Sequence, residues 1–130
     1  MAFIQRAGRT VASRACLRVL AWVWILALIV GSLQPARPGI VKAEHWEIHW
    51  IAFGGAVLLL LSLAHTLRQE IIRALMMFFL GFSLETLQVL IYRGPMEWND
   101  VLHDGAAVLA AFTLYRFAGA WKPAQEPVSK

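Results

Sequence analysis

Cysteine is almost absent from this chain of 130 residues: Cys16 stands alone. That excludes an intrachain disulfide and any zinc knuckle built on cysteines. Charge is scarce as well. Asp, Glu, Lys and Arg make up 15% of the residues, where a soluble domain carries about 25%. There is no Gly-rich loop placed to cradle a phosphate, no nucleophile elbow, no internal repeat and no linker to a second domain. What fills the chain is apolar: 59% of the residues, in long blocks rather than amphipathic stripes. Such blocks suit lipid as the surrounding solvent, where a crossing helix uses about 20 mainly apolar residues. The net charge of +4 does not point to nucleic acid, because in such a chain the placement of Lys and Arg matters more than their sum.

Four runs have the composition of crossing helices: 19–36, 48–67, 74–92 and 101–121. The first has no charged residue, the third has only Glu85, and the fourth has Asp104 near its start and Arg116 near its end. The fourth crosses only if Asp104 lies at one interface and Arg116 snorkels to the other. Between the runs lie "QPARPGIVKAE", "RQEIIR" and "YRGPMEWN", which read as connecting loops, with Gly94-Pro95 as a turn signal. The expected fold is all-α: a polytopic membrane protein, a four-transmembrane-helix bundle with both termini cytoplasmic. Residues 1–18 form a basic cytoplasmic segment, 19–121 the membrane domain and 122–130 a polar tail.

The orientation follows from the basic residues. With the N-terminus in the cytoplasm, Arg6, Arg9, Arg14, Arg18, Arg68, Arg73, Arg116, Lys122 and Lys130 fall inside, and Arg37, Lys42 and Arg93 outside. Nine against three is a positive-inside bias, and it places the chain in the cytoplasmic (inner) membrane as a multi-pass protein. A cleaved signal peptide over residues 1–36 competes with this reading, since it too has a basic start and an apolar middle. No A-x-A site closes the run, however, and the basic region is long. Cys16 lies near Arg14 and Arg18 at a membrane edge, a setting that palmitoylation uses.

The polar residues inside this apolar chain carry the functional question. In the expected topology His45 and His49 lie at the outer end of the second helix, Glu85 and Gln88 in the outer half of the third, and Asp100, His103 and Asp104 at the outer start of the fourth. Glu85 and Gln88 are three apart and so share a helix face, and Asp100, His103 and Asp104 are spaced i, i+3, i+4. An ionised carboxylate facing lipid costs several kcal/mol, so such residues turn inward and pair. The sequence therefore predicts an outward-facing polar pocket made by His49, Glu85, Gln88, Arg93, Asp100, His103 and Asp104, with Glu85 in reach of Arg93 or His103. On the fourth helix the small residues Ala107 and Ala111 continue the Asp104 face, which lets backbones approach closely.

Each residue also has a plainer reading. Glu85 and Gln88 can be interhelical hydrogen-bonding groups. Asp100 or Asn99 can cap the fourth helix, and Arg93 can simply pair with Glu85 or Asp100. His45 and His49 have a two-ligand spacing, but His45-Trp46 is not the start of H-E-x-x-H, and neither a metal nor another cofactor is expected. Trp46, Trp50 and Trp98 sit where aromatic belts form.

Four stretches taken in order resemble the VanZ-like family of small integral membrane proteins. "GSLQPARP" is similar to its S-L-x-P motif, "HWIAF" (49–53) to H-x-x-x-F, "ETLQ" (85–88) to E-x-x-Q, and "RGPMEWNDVLHDGAA" to the segment where an Arg precedes D-x-x-x-N. The likeness spans about residues 30–112. The chain departs from the pattern where Asp104 replaces the family's Asn, Ala107 its later Gly, and His103 a small residue. The resemblance implies a multi-span envelope protein, from a family whose founding member is linked to teicoplanin resistance. Three functions follow as expectations. The first is a module binding a membrane lipid or lipid-linked envelope intermediate, or a membrane-protein partner. The second is an intramembrane enzyme using Glu85 or Asp100 with Arg93, and the third a structural or assembly subunit.

Overall fold

The computed structural model describes residues 2–34 and 45–120, with side chains described over 13–34 and 46–119. It is built of four helices: α1 (Ala2–Ser32), α2 (His45–Ser62), α3 (Leu67–Tyr92) and α4 (Trp98–Ala120). Residues 35–44, with Arg37 and Lys42, and residues 121–130 lie outside the described residues, so the expected sidedness of both termini finds no test there.

The number of spans departs from the expectation. Among the described residues two helices are long and apolar enough to cross a membrane, Ser13–Ser32 within α1 and Leu67–Tyr92, which is all of α3. The apolar stretch of α2, Trp46–Ser62, is shorter than these and falls below the roughly 20 residues of a typical span. Helix α4 is interrupted by Asp100, Asp104 and Arg116 and does not qualify among the candidate spans. A four-span bundle is therefore not supported, although the all-helical class is observed.

The boundaries moved for local reasons. Segment "RQEIIR" is not a loop: it lies in the first turns of α3. Thr66 is the N-cap, with its hydroxyl accepting from the Gln69 N–H at 3.2 Å. The Gln69 side chain reaches back to accept from the His65 N–H at 2.9 Å. This reciprocal arrangement occupies amides that a helix start leaves without partners. Farther along, the Arg73 guanidinium donates to Leu60 O at 2.6 Å, and Arg116 pairs with the largely buried Glu70 at 3.2 Å. The charges that made this stretch look like a connection thus tie α2, α3 and α4 together at one end.

Helix α2 is central and packs on the other three, most closely on α4. Phe53, Val57 and Leu61 of α2 are the largest fully buried side chains. Ala107, Val108 and Ala111 of α4 are buried against this core, so the small-residue face of α4 is the face that packs. Helix α1 docks through the Trp24 indole, which donates to Ala52 O at 2.9 Å, and a Cβ at Gly55 would lie 2.9 Å from the Trp24 ring. Helices α1 and α3 end side by side: Gln88 donates to Ser32 O at 2.6 Å and Tyr92 to Leu33 O at 2.7 Å. The chain returns between them through α2.

Candidate functional site

Where α1 and α3 end and α2 and α4 begin, the four elements enclose a pocket of about 490 Å³. Gly31 and Ser32 come from α1, Ile48, His49, Ala52 and Phe53 from α2, and Glu85, Gln88, Val89 and Tyr92 from α3. Gly94, Pro95 and Glu97 of the loop and Asp100 of α4 complete the wall.

His49 is the hub. Its Nδ1 lies 2.7 Å from Asp104 Oδ1, and its Nε2 faces Asp100 Oδ2 at 3.6 Å. The four-residue spacing of the two aspartates puts both on one face of α4, and one imidazole meets both. Phe53, four residues after His49 on α2, has its ring parallel to the imidazole with centroids 6.3 Å apart. Beneath the pair lies Gly81 of α3. A Cβ there would fall 2.7 Å from Asp104 Oδ2 and 3.1 Å from the Phe53 ring, so the absence of a side chain is what lets α3 and α4 close over the aspartate.

His49 and Asp104 lie outside both candidate spans, and their environment decides their protonation. Burial acts first on His49 and would lower its pKa. The hydrogen bond and charge of Asp104, then the charges of Asp100 and Glu85, outweigh it and raise the value above 6.5. Burial raises Asp104 above 3.8, against the opposing pull of its hydrogen bond to His49. Taken as one unit, the pair holds on to its proton.

Glu85 is 3% exposed and lines the pocket. Among the described residues no donor hydrogen-bonds its carboxylate, and the ion pairs formed are those of His49 and Arg116. Gln88, three residues on, is committed instead to the last turn of α1 through Ser32 O, which fits its plainer reading as a strut.

Three expectations are corrected. Arg93 is exposed, is not in the pocket wall, and forms no ion pair among the described residues with Glu85 or Asp100. It is the C-cap of α3, in the left-handed conformation (φ 55°, ψ 27°), with its N–H donating to Val89 O at 2.9 Å. That conformation turns the chain into Gly94 and Pro95, which line the pocket, while the Arg93 side chain stays exposed outside the wall. His103 and Asp104 are not in the wall either: Asp104 stands behind His49, and the His103 Nδ1 is buried with no hydrogen-bond partner among the described residues. Asp100 and Asn99 do not cap α4, since both lie inside its first turn; the Asp100 carboxylate faces His49 instead. The expected pocket left out Gly81, Tyr92 and Phe53, the last already marked as the end of the H-x-x-x-F stretch. The i, i+4 relation of His49 to Phe53 was the available signal for one of them.

No group of three or more His, Cys, Asp or Glu among the described residues is arranged to hold a metal ion; the His45 side chain lies outside them. Comparison with known families, with curated proteins and with solved structures finds no match for the chain. The site must therefore be read from its own chemistry. It offers an apolar approach, a buried carboxylate facing the cavity, a proton-holding His–Asp pair behind it and two further acids, Glu97 and Asp100, in the wall.

Proposed function

We propose that this chain is an integral protein of the cytoplasmic membrane whose pocket binds the polar end of an amphiphile. The carrying observation is Glu85, almost wholly buried in a pocket wall and without a hydrogen-bonding partner among the described residues. Residues that serve only as glue between helices are satisfied by each other, as Gln88 and Ser32 are here. A buried acid left open to a cavity of 490 Å³ suits a small ligand, since ligand sites commonly occupy about 300–1,000 Å³.

Membrane placement is supported by the surface as well as by the two apolar helices. Large apolar side chains such as Trp22, Leu26, Met76, Phe79, Leu90, Leu109 and Phe117 are each at least 60% exposed and recur along α1, α3 and α4. Exposed apolar area this continuous marks a surface covered by lipid or by protein. The VanZ-like reading, with a role in envelope maintenance or glycopeptide resistance, belongs to this proposal. It is supported by the gathering of His49, Glu85, Gln88 and Asp100, which carry the resemblance, around one cavity. The enzyme alternative is less well supported, because Arg93, its group for steadying an oxyanion, lies outside the wall.

Lipidomic mass spectrometry of the purified protein tests the binding reading. Gly31 lines the pocket and a Cβ there would meet nothing within 4 Å, so Gly31→Leu is the substitution chosen to narrow it. One amphiphile class retained by wild type and lost from a folded Gly31→Leu is the expected result. Identical retention by both proteins would refute a role for this pocket.

A further inference from the structure

The charge of the wall says which kind of polar end fits. Glu85, Glu97 and Asp100 line the cavity and Asp104 stands directly behind His49. Against these four acids the described wall supplies one imidazole and neither Lys nor Arg. That imidazole is already engaged by Asp104 and faced by Asp100. Glu85, 3% exposed and without a hydrogen-bonding partner among the described residues, calls for a donor bearing positive charge. Two aromatic rings, Phe53 and Tyr92, share the wall, and aromatic faces attract organic cations. A phosphate or carboxylate would meet like charge here with no guanidinium among the described wall residues to offset it.

We infer that the pocket selects an organic ammonium group, the amine at the polar end of an amphiphile, with Glu85 as its principal counter-charge and Glu97 at the entrance. This rests on the reading of the cavity as an amphiphile site. It excludes the anionic head that a pocket containing Arg93 would have suited. The Gln88 amide N–H donates to the Ser32 carbonyl and holds this side of the cavity in place.

The test uses the full chain in a neutral detergent and three probes with one alkyl chain: dodecylammonium, dodecanol and dodecanoate. Ethylammonium, which has the head without the chain, is the fourth. Calorimetric titration should give dodecylammonium an affinity on the order of tenfold to a hundredfold above dodecanol, the worth of a charge-assisted hydrogen bond in a partly dry site. Dodecanoate should bind weakest. Glu85→Gln should remove most of the ammonium preference while dodecanol binding persists. Glu97→Gln, an exposed position that does not threaten folding, should reduce the preference severalfold. Equal binding of amine and alcohol to wild type, or a preference for dodecanoate, would overturn the inference. If amine and alcohol bind equally and Gly31→Leu abolishes both, the amphiphile pocket survives and only its ammonium selectivity fails. If no probe binds, both readings fail. Ethylammonium binding as tightly as dodecylammonium would keep the cation chemistry but make the ligand a soluble amine, against the amphiphile reading.

Discussion

Removing the imidazole of His49 should damage the fold more than removing the carboxylate it binds. His49 and Asp104 are 2.7 Å apart, with side chains 11% and 3% exposed, so this is not a surface pair. At an effective dielectric of 20 two unit charges at that separation attract by about 6 kcal/mol, and desolvation offsets much of it. Truncating one partner of such a pair costs about 3–5 kcal/mol, because the other is left buried and alone. In His49→Gln both Asp104 and Asp100 lose the imidazole. In Asp104→Asn the imidazole keeps Asp100 at 3.6 Å. We therefore expect His49→Gln to lose about 4 kcal/mol and Asp104→Asn about 2–3. The double variant should lose clearly less than their sum, a coupling of about 2 kcal/mol. Unfolding by a denaturing detergent in mixed micelles, followed by far-ultraviolet circular dichroism, measures all three. Additive losses within about 0.5 kcal/mol, or a larger loss from Asp104→Asn, would show that the pair does not hold α2 to α4.

Gly81→Ala should lose about 1–3 kcal/mol by overpacking, since its Cβ would press on Asp104 Oδ2 and Phe53. The His49 imidazole resonances should shift with it, and an unshifted, equally stable variant would refute the close packing. Stability should also depend on pH. His49 is raised above 6.5 and Asp104 above 3.8, so both favour the protonated fold. Their contribution is full below those unfolded values and is lost as pH rises through the folded ones. Unfolding midpoints should therefore fall from about pH 5 to pH 8, and His49→Gln should flatten the part of the fall above 6.5; a midpoint that rises over this range would contradict the sign. Arg93→Gly should raise stability by about 1 kcal/mol by relieving a left-handed non-glycine residue and leave amine binding unchanged. Lost binding would show that the guanidinium reaches the pocket.

Much of this arrangement is legible along the chain, and what is not has definite causes. Polar residues in apolar surroundings reveal themselves by their cost, which is why His49, Glu85, Asp100 and Asp104 stand out, and the Ala107–Ala111 face shows which side of α4 packs. Sequence spacing could not decide how far α4 is rotated. Asp100, His103 and Asp104 share a broad stripe, but the packing of Ala107 and Gly81 turns the aspartates toward His49 and leaves His103 outside the cavity. Arg93 was the obvious partner for the acids by charge alone. Its left-handed backbone, a property of how α3 ends, removes it. Charge also misled at 68–73, where Glu70 finds Arg116 at a distance of 46 residues and a stretch resembling a loop becomes helix. The count of spans failed because runs of apolar residues were measured without their helices. The run placed at 48–67 crosses the α2–α3 turn, and the one at 101–121 belongs to a helix carrying Asp100, Asp104 and Arg116.

Glu85 separates a binding site from a structural one, because the two readings predict opposite signs for a single substitution. If Glu85 were glue, Glu85→Gln would weaken a contact and lower stability. Glu85, 3% exposed and without a hydrogen-bonding partner among the described residues, is instead a burden on the fold. Burying an ion costs several kcal/mol even after relaxation, and Asp100 and Asp104 add repulsion from α4 that His49 offsets in part. An amide in the same place costs about 1–3 kcal/mol and repels neither. Glu85→Gln should therefore stabilise the empty protein by on the order of 1–2 kcal/mol, the difference between those penalties. With dodecylammonium present the order should reverse, since only the wild type gains the linkage term from ligand held by the native state. Detergent unfolding of both proteins, with and without the amine, measures four midpoints. A Glu85→Gln protein less stable than wild type without ligand, and no better or worse placed with it, would make Glu85 a structural residue and return the pocket to helix packing.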